Sequence, residues 1–278
     1  MTASRGRTRA AEPSVTLDAP RTVRWEAATV PSREHPVPVR IYRPARAGRG
    51  RLVWAHGGSW RSGSVEGWHF ACAHLAEQSS CTVVSVGYRL APRYPHPAAL
   101  TDVLRAMDWA ESRAGRAGDG GAIMVGGDSA GGTIAACAAL VWRDQDRPLA
   151  AQVLAYPPLD PHCAAPSYSR LPDAFPDRAA LIDAWRDYRG AGTVRTAGAF
   201  PSTPFEAEDL TGLAPAIIGV GALDPVADDV RTYAALLSAA GNEVELREFP
   251  KLGHGAFLTD SALRRWFGAA ISRRTRTS

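Results

Sequence analysis

The chain of 278 residues is poor in lysine, in cysteine and in long apolar runs. Lys251 is the only lysine, so arginine supplies nearly all of the positive charge behind the formal net charge of +4. The arginines are spread along the chain and are densest at its two ends, which indicates solvated tails instead of a basic binding surface. A nucleic-acid partner is therefore not expected.

The scarce cysteines and the histidines give no sign of a metal site. The four cysteines have no paired spacing of the kind that holds a metal; they are Cys72, Cys81, Cys137 and Cys163. No carboxylate or cysteine stands at ligand spacing from His69, His74 or His96. We therefore predict reduced, packed thiols and no metal site.

No apolar run is long enough to span a bilayer. Residues 1–20 are polar and basic and lack the apolar stretch of a secretory signal. These two absences predict a cytoplasmic protein without a membrane partner, and they leave a homodimer open.

What the chain does contain is an alternation of strand-like and helix-like segments. Strands are predicted at residues 22–28, 37–42, 51–55, 82–86, 123–125, 151–155, 216–220 and 244–249. Helices are predicted at residues 68–78, 97–110, 130–140, 178–188, 226–239 and 258–273. The first two strands should form an antiparallel pair. The remainder predicts a mostly parallel sheet with helices on both faces and ligands at the carboxyl ends of the strands.

The alternation implies one α/β domain. A hydrophobic content of 45% with 22% charged residues is enough for one large core. We expect a flexible segment at 1–20 and one domain at 21–278, with a proline-rich insertion at about 157–205. An irregular stretch of that length beyond a strand end is usually functional.

The sequence G-D-S-A-G at residues 127–131 lies between the predicted strand at 123–125 and a long Ala-rich segment. It fits G-x-S-x-G, in which glycines two before and two after a serine let a strand and a helix approach closely. Ser129 is then held at the tip of a sharp turn, and the backbone N–H of Ala130 points toward the oxygen that the hydroxyl attacks. The pattern predicts a nucleophilic serine.

Two further strand ends carry an aspartate and a histidine. Asp224 follows the predicted strand at 216–220, and His254 follows the last strand. In the order Ser129, Asp224, His254 they can form a catalytic triad, with the histidine as proton carrier and the aspartate as its support. Asp228 and Asp229 are rivals for the acid, but their place near a helix start is explained by the helix dipole.

The sequence H-G-G-S-W at residues 56–60 follows the third strand. Consecutive glycines let backbone N–H groups turn toward a site, and a tetrahedral intermediate needs two or three such donors for its oxyanion. We predict an oxyanion hole from the amides of Gly58, Ser59 and Ala130, with Gly57 permitting the turn.

Three tryptophans are candidate substrate contacts. Trp60 and Trp68 flank the oxyanion loop, and Trp185 lies at helical spacing with two other apolar residues of the insertion. Each either lines the pocket or packs structurally, and the sequence does not decide between these roles.

Several motifs together resemble one family. They are H-G-G-S-W at 56–60, Y-R-L-A-P at 88–92, G-D-S-A-G-G at 127–132, Asp224-Pro225 and His254-Gly255. With these motifs, the chain from Arg51 onward resembles the bacterial hormone-sensitive-lipase-like family of α/β-hydrolase esterases. The resemblance implies the α/β-hydrolase fold, serine carboxylester hydrolysis, a cap over the site and no cofactor.

The chain departs from that family at three points. Ser59 stands where the family has a third glycine, and Arg93 stands where it has an acidic residue. The segment before the first strand is also short, which predicts a reduced, open cap.

A small or medium ester is thus the expected substrate. The alternatives are an arylformamidase, whose H-G-G-x-W loop residues 56–60 also resemble, a biosynthetic acyltransferase, and a non-catalytic small-molecule receptor.

Overall fold

A computed structural model describes residues 19–117, 121–190 and 200–276. Within these residues the strands are β1 (Val23–Val30), β2 (Val37–Pro44), β3 (Arg51–Ala55), β4 (Thr82–Val86), β5 (Ile123–Asp128), β6 (Ala151–Ala155), β7 (Ala216–Gly221) and β8 (Val244–Phe249). The helices are α1 (His69–Ser79), α2 (Ala98–Ala117), α3 (Ala130–Asp144), α4 (Pro166–Arg170), α5 (Arg178–Arg189), α6 (Ala227–Ala239), α7 (Ala256–Thr259) and α8 (Ser261–Arg276), with a 3₁₀ turn at Pro204–Glu206. The predicted flexible segment at 1–20 falls almost wholly outside the described residues.

The strands form one sheet in the order β1-β2-β4-β3-β5-β6-β7-β8. β1 pairs with β2, and β2 with β4, in antiparallel register, whereas the other neighbours are parallel. β5, β6 and β7 are buried at every position because helices cover both of their faces, so the sequence there is apolar or glycine-rich except at Asp128 and Gln152. The predicted mostly parallel sheet with an opening antiparallel pair is confirmed.

The strand order determines where the helices and the ligand site lie. The chain steps from β3 outward to β4 and then back across β3 to β5, after which it continues in that second direction. Because parallel crossovers are right-handed, α1 covers one face and α2, α3 and α6 cover the other. α8 packs on α1 and so joins the first face. The reversal between β3 and β5 creates a crevice at their carboxyl ends.

The insertion between β6 and β7 contains α4, α5 and the 3₁₀ turn. The Asp177 side chain caps α5 by accepting from the backbone N–H of Ala180 at 2.8 Å. The apolar side of α5 is buried, namely Leu181, Ala184, Trp185 and Tyr188. α4 was missed from the sequence, because a five-residue helix leaves no measurable periodicity. Residues 191–199 of the predicted cap insertion lie outside the described residues.

One predicted helix is wrong. Residues 258–273 were expected to form a single closing helix, but α7 ends and α8 begins around Asp260, whose backbone is extended at φ −104° and ψ 120°. The Asp260 carboxylate accepts from the backbone N–H of Leu263 at 2.7 Å and so caps α8. An aspartate suits an N-cap better than a helix interior, and that preference divides the segment.

Two expectations from composition can be compared with the fold. All four cysteines are free and buried, as predicted for packing thiols. Among the helices of the described residues, we find none with the length and hydrophobicity that a membrane crossing requires.

Candidate active site

Ser129 lies at the turn between β5 and α3. Its backbone has φ 51° and ψ −126°, a conformation that side chains rarely adopt. The flanking glycines permit the turn: a Cβ on Gly127 would lie 2.4 Å from the carbonyl oxygen of Gly131, and one on Gly131 would lie 2.1 Å from that of Ala55. Any larger residue at either position would force β3, β5 and α3 apart, so the turn needs both glycines.

Ser129 meets the predicted histidine and aspartate. Its Oγ lies 2.7 Å from Nε2 of His254, and Nδ1 of that imidazole lies 2.9 Å from Oδ2 of Asp224. Asp224 is fully buried and follows β7, while His254 follows β8, the neighbouring strand. The backbone N–H of Val226 donates to Asp224 at 3.0 Å and fixes the carboxylate. This arrangement can pass a proton from the hydroxyl to the imidazole.

The rival aspartates have other partners. Asp229 accepts from the hydroxyl of Tyr168 at 2.9 Å and from two backbone amides at the start of the insertion. Asp228 forms ion pairs with Arg170 and Arg231 at the surface. The carboxylate beside the imidazole is therefore that of Asp224.

The loop after β3 runs beside the serine because β3 and β5 are neighbours. Three successive residues have positive φ: 114° at Gly58, 52° at Ser59 and 58° at Trp60. A Cβ on Gly58 would lie 2.2 Å from the carbonyl oxygen of Ser62, so this position requires glycine. Within the described chain, the backbone N–H groups of Gly58, Ser59 and Ala130 donate to no other protein atom. They are free to receive an oxyanion.

The same loop is supported by two aromatic side chains. The imidazole of His56 stacks on Tyr88 with ring centroids 4.3 Å apart, and the Tyr88 hydroxyl donates to the carbonyl of His56 at 2.8 Å. Burial lowers the pKa of His56 to about 4, so this imidazole is neutral. Tyr88 therefore anchors the loop, and Arg89 beside it forms an ion pair with the buried Asp102 at 2.8 Å.

Asp128, the residue before the serine, is buried and accepts only from N–H donors. Its Oδ1 accepts from the indole of Trp68 at 2.8 Å and from that of Trp54 at 3.1 Å. The backbone of Gly57 also lies against this carboxylate, because a Cβ added at Gly57 would lie 2.7 Å from Oδ2. This contact is consistent with the turn-forming role expected of Gly57. Burial raises the pKa of Asp128 to about 7 from its ordinary value of 3.8.

The tryptophans suggested as substrate contacts differ in their surroundings. Trp60 and Trp185 are fully buried, with ring centroids 4.3 Å apart, and Trp60 also stacks on Tyr188 at 4.7 Å. Both present almost no surface to a ligand, because their rings join the oxyanion loop to α5. Trp60 and Trp185 therefore pack inside the fold instead of forming the suggested wall of the pocket. Trp68 is partly buried and holds Asp128.

Two residues beside His254 were not singled out from the sequence. Tyr156 follows β6, and its ring lies edge-on to the imidazole at 4.8 Å. Its hydroxyl accepts from the backbone N–H of Phe257 at 2.7 Å. Phe175, in the insertion, lies edge-on to the same imidazole at 5.7 Å. Tyr156 could have been found as the residue after a strand end, but Phe175 carries no such signal.

The described residues contain no cluster of side chains that could bind a metal ion. Across residues 19–117, 121–190 and 200–276, no three His, Cys, Asp or Glu side chains converge closely enough to hold a metal ion. The chemistry that this site can perform with its own groups is nucleophilic attack by an activated serine.

Comparison with known proteins agrees with this geometry. A family model described as the alpha/beta hydrolase fold matches residues 52–258. Carboxylesterase NlhH of Mycobacterium tuberculosis is 39% identical over 226 residues, which are 79% of this chain and 70% of that protein. Ethyl acetate hydrolase of Pseudomonas putida is 35% identical over 230 residues, covering 79% of this chain and 71% of that protein. The crystal structure of esterase LipW from Mycobacterium marinum superimposes with a TM-score of 0.81 at 34% identity, covering 91% of this chain and 82% of the other.

A serine on a strand-turn-helix elbow of a mostly parallel sheet, paired with a histidine, defines a serine hydrolase of the α/β-hydrolase fold. The chain belongs to the bacterial hormone-sensitive-lipase-like esterase family, and it is a carboxylesterase-type serine hydrolase. The formamidase, acyltransferase and receptor alternatives receive no support from these relatives.

Proposed function

We propose that the chain hydrolyses carboxylic esters through an acyl-enzyme formed on Ser129. The observation that carries the proposal is the continuous contact from the Ser129 hydroxyl through His254 to Asp224, with both junctions at 2.7–2.9 Å. Distances of that size allow direct proton transfer. Each of the three side chains also comes from a different strand end, so the sheet itself holds them in register.

In the first half-reaction Ser129 attacks the ester carbonyl while His254 Nε2 takes the hydroxyl proton. The C–O bond to the alcohol then breaks, and the same nitrogen returns the proton to the departing oxygen. Water repeats the sequence on the acyl-enzyme and releases the acid. Asp224 keeps Nδ1 of the imidazole protonated and stabilises the positive ring that forms.

The oxyanion of each tetrahedral intermediate is bound by the amides of Gly58, Ser59 and Ala130. Support comes from the absence of other acceptors for these three N–H groups in the described residues and from the closeness of the loop to the serine. Removal of one such donor typically costs about 10²–10³ in kcat, so the loop geometry is a major part of catalysis.

The cap and the cellular location belong to the same proposal. We take the insertion at about 157–205 as a cap on a domain at 21–278. Free buried thiols support a cytoplasmic protein. Sedimentation velocity would distinguish a monomer from the homodimer that the sequence left open.

The test is covalent capture of the nucleophile. Intact-mass spectrometry after treatment with a fluorophosphonate should show one adduct, mapped by peptide analysis to Ser129 and absent from Ser129→Ala. Turnover of nitrophenyl esters should fall about 10⁴-fold or more in Ser129→Ala, because triad members act as a unit. Turnover within tenfold of the parent, or an adduct on another residue, would refute the assignment. Turnover of the parent should not change in EDTA.

A further inference from the structure

Phe175 lies between α4 and α5, in a part of the insertion that contacts the imidazole of His254. Its ring centroid is 5.7 Å from that of the His254 imidazole, with 65° between the two planes. The side chain is 70% exposed, more than any other large hydrophobic residue in the described parts of the chain. An aromatic ring is thus presented to solvent directly beside the proton-transferring group.

The two aromatic neighbours of His254 have opposite surroundings. Tyr156 is fully buried, and its hydroxyl is engaged by the backbone of Phe257. Phe175 makes no other aromatic contact among the described residues, and most of its surface is available. Tyr156 therefore supports the imidazole from within the fold, whereas Phe175 can contact a bound molecule.

The chemistry of the proposed reaction fixes which part of a substrate reaches Phe175. The departing oxygen must lie within about 3 Å of His254 Nε2 to receive its proton. The acyl carbon is bonded to Ser129, and the carbonyl oxygen is turned toward the amides of the oxyanion loop. The group attached to the departing oxygen is therefore the part that extends along the imidazole.

We propose that Phe175 forms an apolar subsite for the alcohol portion of the ester and makes the enzyme favour benzyl and other arylalkyl alcohols over short alkyl alcohols. This inference rests on the proposed function. Edge-to-face contact with a second ring and removal of the exposed phenyl surface from water both favour such alcohols. An ethyl group has no ring for the edge-to-face contact and is too short to cover the phenyl surface.

The kinetic test compares two substrate series. The alcohol series is benzyl acetate against ethyl acetate, and the acyl series is ethyl acetate, butyrate and hexanoate. We expect Phe175→Ala to lower the benzyl-to-ethyl ratio of kcat/KM about three- to tenfold, mainly through KM for benzyl acetate, and to leave the acyl series unchanged. The benzyl-to-ethyl ratio of Phe175→Leu should lie between those of the parent and Phe175→Ala. Leu236→Ala removes a comparably exposed side chain on α6 and should not change it.

A binding measurement keeps the inference separate from the proposed function. In Ser129→Ala, ligand-observed NMR should detect benzyl acetate more strongly than ethyl acetate, and adding Phe175→Ala should remove the difference. An unchanged benzyl-to-ethyl ratio, a shift in the acyl series, or equal binding of the two esters to Ser129→Ala would overturn the subsite. Selective binding without turnover in the parent would leave the subsite standing and refute the hydrolase.

Discussion

The indole nitrogen of Trp68 lies 2.8 Å from Oδ1 of Asp128, which places the residue before α1 in direct contact with the residue before the nucleophile. At the other end of the same segment, the backbone of Gly57 packs against the same carboxylate, since a Cβ added there would lie 2.7 Å from its Oδ2. The chain between β3 and α1 therefore contacts Asp128 at both ends. That chain carries the oxyanion loop, so Asp128 acts as a positioning residue for it.

Asp128→Asn should lower kcat about ten- to a hundredfold and change KM less than about threefold. The amide lacks the negative charge to which the two indole N–H groups donate, and its NH₂ would replace Oδ2 beside the backbone of Gly57. A displaced loop loses contacts made to the oxyanion in the transition state, which lowers kcat. Steady-state kinetics on one ester would measure the changes in kcat and in KM separately.

Trp68→Phe provides a graded comparison, because it removes one of the two indole donors and leaves the carboxylate. We expect a smaller loss of kcat than in Asp128→Asn. Parental kcat in Asp128→Asn, with the fold intact by circular dichroism, would show that the carboxylate does not position the loop.

Asp128 should also make stability depend on pH. Its pKa is about 7 in the folded protein, against 3.8 ordinarily, so between these values the folded state holds a proton that the unfolded state has lost. The resulting contribution is fully present below about pH 4 and is lost as the pH rises through about 7. The free energy of unfolding should fall over that range.

Urea denaturation at pH 5, 6, 7 and 8 would measure this effect. Asp229, whose pKa burial raises to about 6, contributes in the same direction, so the parent alone does not isolate Asp128. The difference in the pH dependence of the unfolding free energy between the parent and Asp128→Asn does isolate that contribution. A parent and variant with parallel pH profiles would contradict the assignment.

Asp224→Asn should reduce kcat about 10³–10⁴-fold at unchanged fold, since the wrong tautomer of His254 would face Ser129. Asp228→Asn is the matched control four residues away. It removes only surface ion pairs, which are worth about 0–1 kcal/mol, so its kcat should stay within about twofold. Equal effects of the two substitutions would mean that Asp224 supports the fold and not the imidazole.

Trp185→Ala should cost about 3–5 kcal/mol of the free energy of unfolding, because it empties a large buried site against Trp60. Trp185→Phe should cost much less. Among the described residues the buried indole N–H of Trp185 has no acceptor, so removing it relieves a penalty of about 1–3 kcal/mol that offsets the lost volume. Urea denaturation of both variants would measure the two losses of unfolding free energy. Equal losses in Trp185→Ala and Trp185→Phe would refute the prediction.

The sequence predicted most of the sheet and the reacting groups because both depend on local signals. β3, β4, β6 and β8 have the bounds expected from apolar runs. Ser129, Asp224 and His254 were found because each follows a strand, and the parallel sheet then brings strand ends to one edge.

What the sequence did not predict depends on contacts between distant segments. The burial of Trp60 and Trp185 depends on where α5 crosses the oxyanion loop, and no periodicity encodes that crossing. The Trp54 and Trp68 bonds to Asp128 join residues 74 and 60 positions apart. Phe175 lies in a proline-rich stretch whose path is set by packing against the rest of the fold.

The backbone at Ser129 has a further consequence. A positive φ of 51° costs a side-chain-bearing residue of the order of 1–3 kcal/mol, and the surrounding strand and helix must impose it. Glycine adopts that conformation without the penalty. Replacing Ser129, the proposed nucleophile, by glycine should therefore raise the melting temperature, and the parent protein gives up thermal stability in exchange for a hydroxyl held at the tip of the turn.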